Sequence, residues 1–570
     1  MSWKASLFSN VERVKANHIT PPMASLNPTI IFEAGGKRYV TTEAIPFQSP
    51  TNTPLRSQLV TVFANHDGIA LNKAWLETYL DKLDGCDVYD RNLFLSGVII
   101  TTPHRGLAVP QDSWEYLKEL GMKWLDVIVE GDEAHLPTGP YLYTDNKLHP
   151  VCRLYDDEKG AFFSGLKPKL DLSPLSVFEQ LGVASTSSNC LVIAVPPQAP
   201  TLATNTLPKL RIAVKDCFFV RGMKTSLCNR AYHELSEPAT FTADVIQALI
   251  NDGAQILGLT KLSSMIAREE PMDAVDYSTA FNPRGYGYQS PAGSSSGSAA
   301  AVAAYDWLDC AIGTDTSGSG RRPALANGVW QFRPSHDSIS LRGLVKTYAI
   351  FDTPCIFARS LDVIRRVAKT WIATPLDVKK RPYCLIYPSD YLPTKNPEQM
   401  KIIGSHTRQR LLTMLSSIFM TLFGEPFIIS STTQQQASGN YTPRDMMANS
   451  PIKWLHNQFF GNENFETFVI LPVAEVKPVY RDEKAESPET QSACDQLFLP
   501  PILGSPDVVV PIGETRYYSK ISNKIEYLPV VANIVAAPGR DHEFLEAVDA
   551  ILERSGRSNV VSTGSRIFAP

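Results

Sequence analysis

Gly293-Ser294-Ser295-Ser296-Gly297-Ser298 and Gly313-Thr314-Asp315-Thr316-Ser317-Gly318-Ser319-Gly320-Arg321 are short segments poor in bulk and rich in hydroxyls, with an alanine-rich run, 299–304, between them. Small residues let backbone N–H groups and serine hydroxyls come close to a ligand. That composition suits nucleophilic catalysis beside an oxyanion hole.

Around these segments the chain alternates. Strands are expected over 210–214, 254–259, 383–387, 507–511 and 527–536. Helices are expected over 243–252, 298–305, 362–373, 408–423 and 543–554, the first capped by Thr240 or Thr242. The alternation argues an α/β domain over 209–570 around a largely parallel or mixed sheet flanked by helices. The strongly apolar face of 408–423 reads as a buried packing helix rather than a lid. The polar or charged stretches 430–445 and 476–489 read as loops.

Upstream, 166–208 is rich in Ser, Pro and Thr and reads as a linker and entry segment, interrupted by a helix over 176–181 and a strand over 190–195. Residues 1–165 read as a separate, smaller α+β unit. Strands are expected there over 29–33, 38–41, 58–64 and 93–102, with a hairpin at Gly35-Gly36, and helices over 71–83 and 112–128. His104, Asp132 and Glu133 stand isolated in this unit and read as surface or structural groups.

At 570 residues the chain is too long for one ordinary core. With 44% hydrophobic and 20% charged residues it reads as an ordinary soluble protein, and a net charge of -4 gives no reason to expect nucleic acid. The first residues lack an apolar signal region, and no run of 18 apolar residues exists, so neither secretion nor a membrane span is expected. Nine scattered cysteines without a C-x-x-C pair fit reduced thiols in the cytoplasm. No zinc spacing occurs, and neither a metal nor another cofactor is expected.

Residues 293–297 spell G-S-S-S-G, the nucleophile-elbow pattern, with Ser295 as nucleophile and His542 as a candidate base. That turn needs a strand before it, and 281–292, FNPRGYGYQSPA, reads as a loop instead. A phosphate-binding loop lacks its Gly-Lys-Ser/Thr.

Three segments together resemble the amidase signature family: Ala213-Val214-Lys215-Asp216; Ala292 to Ala304; and Gly313 to Arg321 continued by Arg322-Pro323-Ala324. Ala358-Arg359-Ser360-Leu361-Asp362 and Pro538-Gly539-Arg540-Asp541 are similar to later motifs of that family, so the resemblance runs from about 172 to 570. The second serine-rich segment is closest to the variant of allophanate hydrolases. The resemblance implies a Ser-cisSer-Lys triad, with Ser319 as nucleophile, Ser294 as bridging serine after a cis peptide, and Lys215 as base. It also implies an oxyanion hole from the N–H groups of Thr316, Ser317, Gly318 and Ser319, with Ser295, Thr314, Asp315 and Arg321 in support.

The chemistry of that assignment is independent of it. Serine needs a base, and a lysine is one only when neutral, which burial without a counter-charge favours. Lys215 ends an apolar strand, and its neighbour Asp216 should point to the other face. The chain departs from the family pattern at Ser317, usually Gly or Ala; at Arg322, usually apolar; and at Lys261, where asparagine is common. The N-terminal unit is similar to a domain that precedes amidase domains in fungal proteins of the scytalone-dehydratase-like type.

The expectation is a serine amidohydrolase acting on a small-molecule amide or ester through an acyl-enzyme, in fungal secondary metabolism, with a homodimer left open. The alternatives are an acyltransferase, transamidase or esterase on the same residues, and a catalytically silent scaffold.

Overall fold

The computed structural model describes residues 29–404, 429–430 and 456–568, less 48–56, 66–69, 105, 130–135, 170–172, 174, 199–208, 374–380, 387–390, 392–394, 458, 463 and 485–494. The expected helix over 408–423 lies outside the described residues, as do Asp132 and Glu133.

Two large mixed sheets organise an α/β fold. The first contains β1 (Ile31–Ala34), β2 (Lys37–Thr41), β3 (Ile45–Pro46), β4 (Gln58–Ala64), β5 (Gly97–Thr102), β6 (Trp124–Val129), β7 (Gly139–Thr144) and β8 (Lys147–Asp156). Its order is β1-β2-β8-β7-β4-β5-β6, with β3 also on β8. Helices α1 (Lys73–Asp84), α2 (Arg91–Phe94) and α3 (Gln111–Glu119) connect its strands. β9 (Phe162–Gly165) leaves for the second sheet, and β10 (Val192–Val195) returns to pair with β8.

The second sheet adds β11 (Arg211–Lys215), β12 (Gln255–Thr260), β13 (Cys310–Asp315), β14 (Trp330–Arg333), β15 (Thr353–Ala358), β16 (Tyr383–Ile386), β17 (Ile429–Ser430), β18 (Glu466–Leu471), β19 (Asp507–Ser519) and β20 (Lys524–Val535). Its order is β17-β16-β18-β20-β19-β14-β15-β13-β11-β12-β9. The helices α4 (Arg230–Leu235), α5 (Asp244–Asn251), α6 (Ser296–Ala304), α7 (Arg321–Asn327) and α8 (Leu361–Trp371) belong to this half.

Local chemistry accounts for these elements and for the departures from expectation. Gly35 and Gly36 both take positive φ, 56° and 70°, and close the β1–β2 hairpin. Residues 112–128 do not form one helix: α3 stops before Gly121, whose φ is 100°, and the β-branched run after it is β6. The start of the expected strand 93–102 lies in α2, capped by Asp90. No helix forms over 176–181, where Phe178 N–H donates to Arg221 O and Gln180 bridges Leu166. Neither Thr240 nor Thr242 caps α5. Ala243 occupies the cap without a side-chain bond, and Thr242 Oγ1 accepts from Arg221 N–H.

The two halves share packed side chains and a charged joint. Trp307 stacks on Tyr305 at 4.7 Å and lies within ring contact of Tyr155 and Phe162. Asp87, between α1 and α2, receives the Arg211 guanidinium at 2.8 and 3.1 Å, and the same guanidinium donates to Pro196 O. Arg211 is 3% exposed, Asp87 33%. Asp87→Ala strips a buried cation of its carboxylate. Because Asp87 is partly solvated, the expected cost is about 2 kcal/mol, below the ~3–5 of a fully buried pair, read as a lower denaturant midpoint.

β11 lies between two parallel neighbours, β12 and β13, and all five of its residues are buried. Behind their C-terminal ends sits α6, buried from Ser296 to Ala303. Its small side chains permit this approach: a Cβ on Gly297 would lie 2.7 Å from Lys261 N and 2.8 Å from Lys261 O. The carboxyl ends of these parallel strands, where α/β folds commonly bind ligands, hold the candidate site.

Candidate active site

Strand pairing brings three distant segments together. β11 ends in Lys215, opposite Thr260 of β12; β13 ends in Thr314 and Asp315; Ser294 and Ser295 lead into α6. In the second glycine-containing segment, Gly313, Thr314 and Asp315 are strand residues.

Lys215 is fully buried. Its Nζ donates to Ser294 Oγ at 2.9 Å, Ser295 Oγ at 2.9 Å and Thr314 Oγ1 at 2.7 Å. No carboxylate oxygen among the described residues comes within ion-pair distance of it. Burial pushes the Lys215 ammonium below its ordinary pKa, and the thiols of Cys217 and Cys355 and the carboxylates of Asp315 and Asp352 oppose that only in part. Asp216, next in sequence, faces away and binds the Ser226 N–H and hydroxyl. Burial raises the Asp216 carboxyl to about 7 despite those bonds.

The peptide between Gly293 and Ser294 is cis. Ser294 O accepts from Ser263 N–H at 3.0 Å, and Ser295 N–H donates to Ser319 O at 3.1 Å. The Ser295 hydroxyl donates to Thr314 O at 3.1 Å and is 0% exposed. It is enclosed where an elbow nucleophile would have to face substrate. His542, its candidate base, instead has Nε2 3.0 Å from Ile372 O, and 281–292 contains no strand.

Ser319 is half-buried, at the turn entering α7. Among the described residues its hydroxyl carries no hydrogen bond, so the Lys215–Ser294 link is formed and a Ser294–Ser319 link is not. Catalytic hydrogen bonds often tighten only once substrate is bound.

The turn is held from below. Asp315 accepts from the N–H groups of Gly318, Gly320 and Arg321 and pairs through both oxygens with the Arg321 guanidinium, at 2.9 and 3.1 Å. Burial alone would raise the Asp315 carboxyl; Arg321 more than offsets it and holds it well below the usual carboxylate range. Gly318 N–H, expected in the oxyanion hole, is therefore committed to Asp315 at 2.9 Å. The N–H groups of Thr316, Ser317 and Ser319 have no acceptor among the described residues. The Thr316 hydroxyl is anchored to Asp352 Oδ1 at 2.5 Å.

Sequence reasoning missed several contributors. Arg333 and Asp507, both fully buried, complete a charged cluster with Arg321 and Asp315. Leu497 O accepts from Arg321 Nη2 at 2.8 Å, and the Leu497 side chain packs on Gly318. No local motif marks these residues, because their role exists only once β14 and β19 are paired. Arg322 forms an ion pair at 2.8 Å with Glu270, which also accepts from Ser290 Oγ. This pair borders a cavity of about 130 Å³ whose walls include Leu325, Val476 and Leu528.

The family model described as "Amidase" matches residues 187–422. "Amidase 1" of Oryza sativa subsp. japonica is 38% identical over 181 residues, 32% of this chain and 41% of that protein. "Translocon at the outer membrane of chloroplasts 64" of Pisum sativum is 29% identical over 267 residues, 46% of this chain and 43% of that protein. The chain thus spans about two fifths of the length of these curated relatives. Among solved structures, Kluyveromyces lactis allophanate hydrolase aligns with a TM-score of 0.48 at 16% identity, over 63% of this chain and 64% of that one. The similarity to amidases thus rests on part of the chain, residues 187–422 for the family model.

Proposed function

We propose that the chain is a serine amidohydrolase that cleaves a linear carboxamide C–N bond through an acyl-enzyme, with Ser319, Ser294 and Lys215 as its catalytic residues. The observation carrying this reading is a fully buried lysine with no carboxylate partner among the described residues, hydrogen-bonded to Ser294 beside a turn whose N–H groups at 316, 317 and 319 have no acceptor among those residues. Ser319 Oγ attacks the carbonyl carbon. Its proton passes through Ser294 Oγ to the neutral Lys215 Nζ. The N–H groups of Thr316, Ser317 and Ser319 receive the oxyanion. As the C–N bond breaks, the proton returns through Ser294 to the departing nitrogen. Water, activated by the same pair, then cleaves the Ser319 ester. None of these steps requires a metal or another cofactor.

Rapid acid quench of the protein with a p-nitroanilide substrate, followed by peptide mapping, tests the reading. An acyl group on Ser319 supports it; an acyl group on Ser295 overturns it. Adding hydroxylamine as acceptor separates hydrolysis from acyl transfer, since a transferase yields the hydroxamate in preference to the acid. Ester turnover would use the same steps.

The base must be a free amine, and burial lowers its pKa, so the rate should rise with pH through that depressed value and level off below the ordinary lysine range of about 10.4. A kcat/KM profile checks this. Lys215→Ala should lose the rising limb rather than shift it. Cytoplasmic location, a homodimer and a place in fungal secondary metabolism are further parts of the proposal, the last supported by the N-terminal resemblance alone.

A further inference from the structure

A second cavity, of about 660 Å³, lies at the seam between the two sheets. It is of the size that holds small organic ligands, which favour such junctions. None of its lining residues belongs to the Lys215–Ser294–Ser319 constellation.

Three features of the lining point to one chemistry. The first is a cation. Lys261 follows β12, and its Nζ donates to Ser278 O at 3.1 Å, with Ser278 Oγ at 3.5 Å. No carboxylate among the described residues lies within ion-pair distance. Partly buried ammonium groups without a counter-ion are uncommon, because three strong donors lose water. Asp157, the acid whose charge acts on Lys261, is committed to the Ala161 and Phe162 N–H groups and to the Tyr305 hydroxyl. Burial lowers the Lys261 pKa, and Arg481 adds to that effect. Among the described residues the Arg481 guanidinium donates to the Ala280 and Thr279 carbonyls. An anion is the missing partner.

The second feature is a wall of rings. Phe163 and Tyr277 meet edge to face at 5.3 Å, and Phe281 lies beside them under Arg481, whose guanidinium is 3.4 Å from its centroid. The third is acidic. Asp156 has one oxygen bound to Ser185 and Ser187 at 2.7 Å and the other without a hydrogen bond among the described residues, and Glu158 is exposed beside it. A cavity offering a cation, rings and acids suits a zwitterion with an aromatic body.

We propose that this cavity binds an aromatic α-amino acid, its carboxylate on Lys261, its ammonium toward Asp156 and Glu158, and its ring against Phe163, Tyr277 and Phe281. The floor of this site is also the backbone on which α6 rests, since Lys261 O accepts from Gly297 N–H at 3.0 Å.

Isothermal titration of the full chain with L-phenylalanine, 3-phenylpropanoate and 2-phenylethylamine tests the proposal. The expected order is phenylalanine tightest, then phenylpropanoate, then phenylethylamine. Lys261→Met should weaken phenylalanine about tenfold or more, while Lys261→Arg keeps most of the affinity and shows that the fold survives. Glu158→Gln should weaken phenylalanine and leave phenylpropanoate unchanged. No saturable binding of phenylalanine to the unaltered protein, or equal affinity in Lys261→Met, would overturn the proposal. Because these probes contain no amide, the result is independent of whether Ser319 is catalytic.

Discussion

Lys215→Ala should lower kcat/KM for amide hydrolysis by about ten-thousand-fold while leaving the fold intact. The magnitude follows from the behaviour of serine triads, where loss of the base removes nearly all covalent catalysis and leaves what binding and the oxyanion hole provide. The geometry makes the loss specific. Lys215 Nζ touches Ser294, Ser295 and Thr314 at 2.7–2.9 Å. Removing a buried, desolvated amine does not strand a carboxylate, because none among the described residues is paired with it. Lys215→Arg should fail as well, since a guanidinium does not become neutral and cannot accept the proton. Steady-state kinetics on purified variants, beside their thermal unfolding curves, checks both outcomes. Retention of a tenth or more of the activity in Lys215→Ala would remove lysine from the mechanism.

The second large effect is on stability. Arg321→Met should destabilise the protein by about 3–5 kcal/mol, read as a fall in the denaturant midpoint. Asp315 and Arg321 are both 0% exposed and paired through two hydrogen bonds, so the substitution leaves a buried carboxylate without its guanidinium. The same carboxylate positions Gly318, Gly320 and Arg321 through their N–H groups. Activity should therefore fall even where the variant remains folded. Asp315→Asn, which keeps shape and loses charge, should lower both the denaturant midpoint and the activity.

The candidate site was legible because its chemistry is local. Lys215, Ser294 and Ser319 each sit in a short, unusual run of residues, and the family resemblance linked the runs. The oxyanion hole was less so: nothing in Gly318 itself says that its N–H turns toward Asp315. Buried partners such as Arg333, Asp507 and Leu497 come from β14, β19 and the segment before Leu499, and only tertiary pairing brings them under the turn. In the fold, isolated strands of strong β-branched character such as β4 and β5 were readable, whereas 112–128 misled because β6 continues the apolar spacing of α3 past Gly121. The segment 190–195 was readable as a strand, yet its place beside β8 in the first sheet was not. A strand's partners depend on long-range register that a single sequence does not display.

The most direct measurement of the central claim is the site of reaction with a fluorophosphonate probe, mapped by mass spectrometry on the unaltered protein. One adduct is expected, on Ser319, absent in Ser319→Ala and formed far more slowly in Lys215→Ala. An adduct on Ser295, or amide hydrolysis that persists in Ser319→Ala, would contradict it.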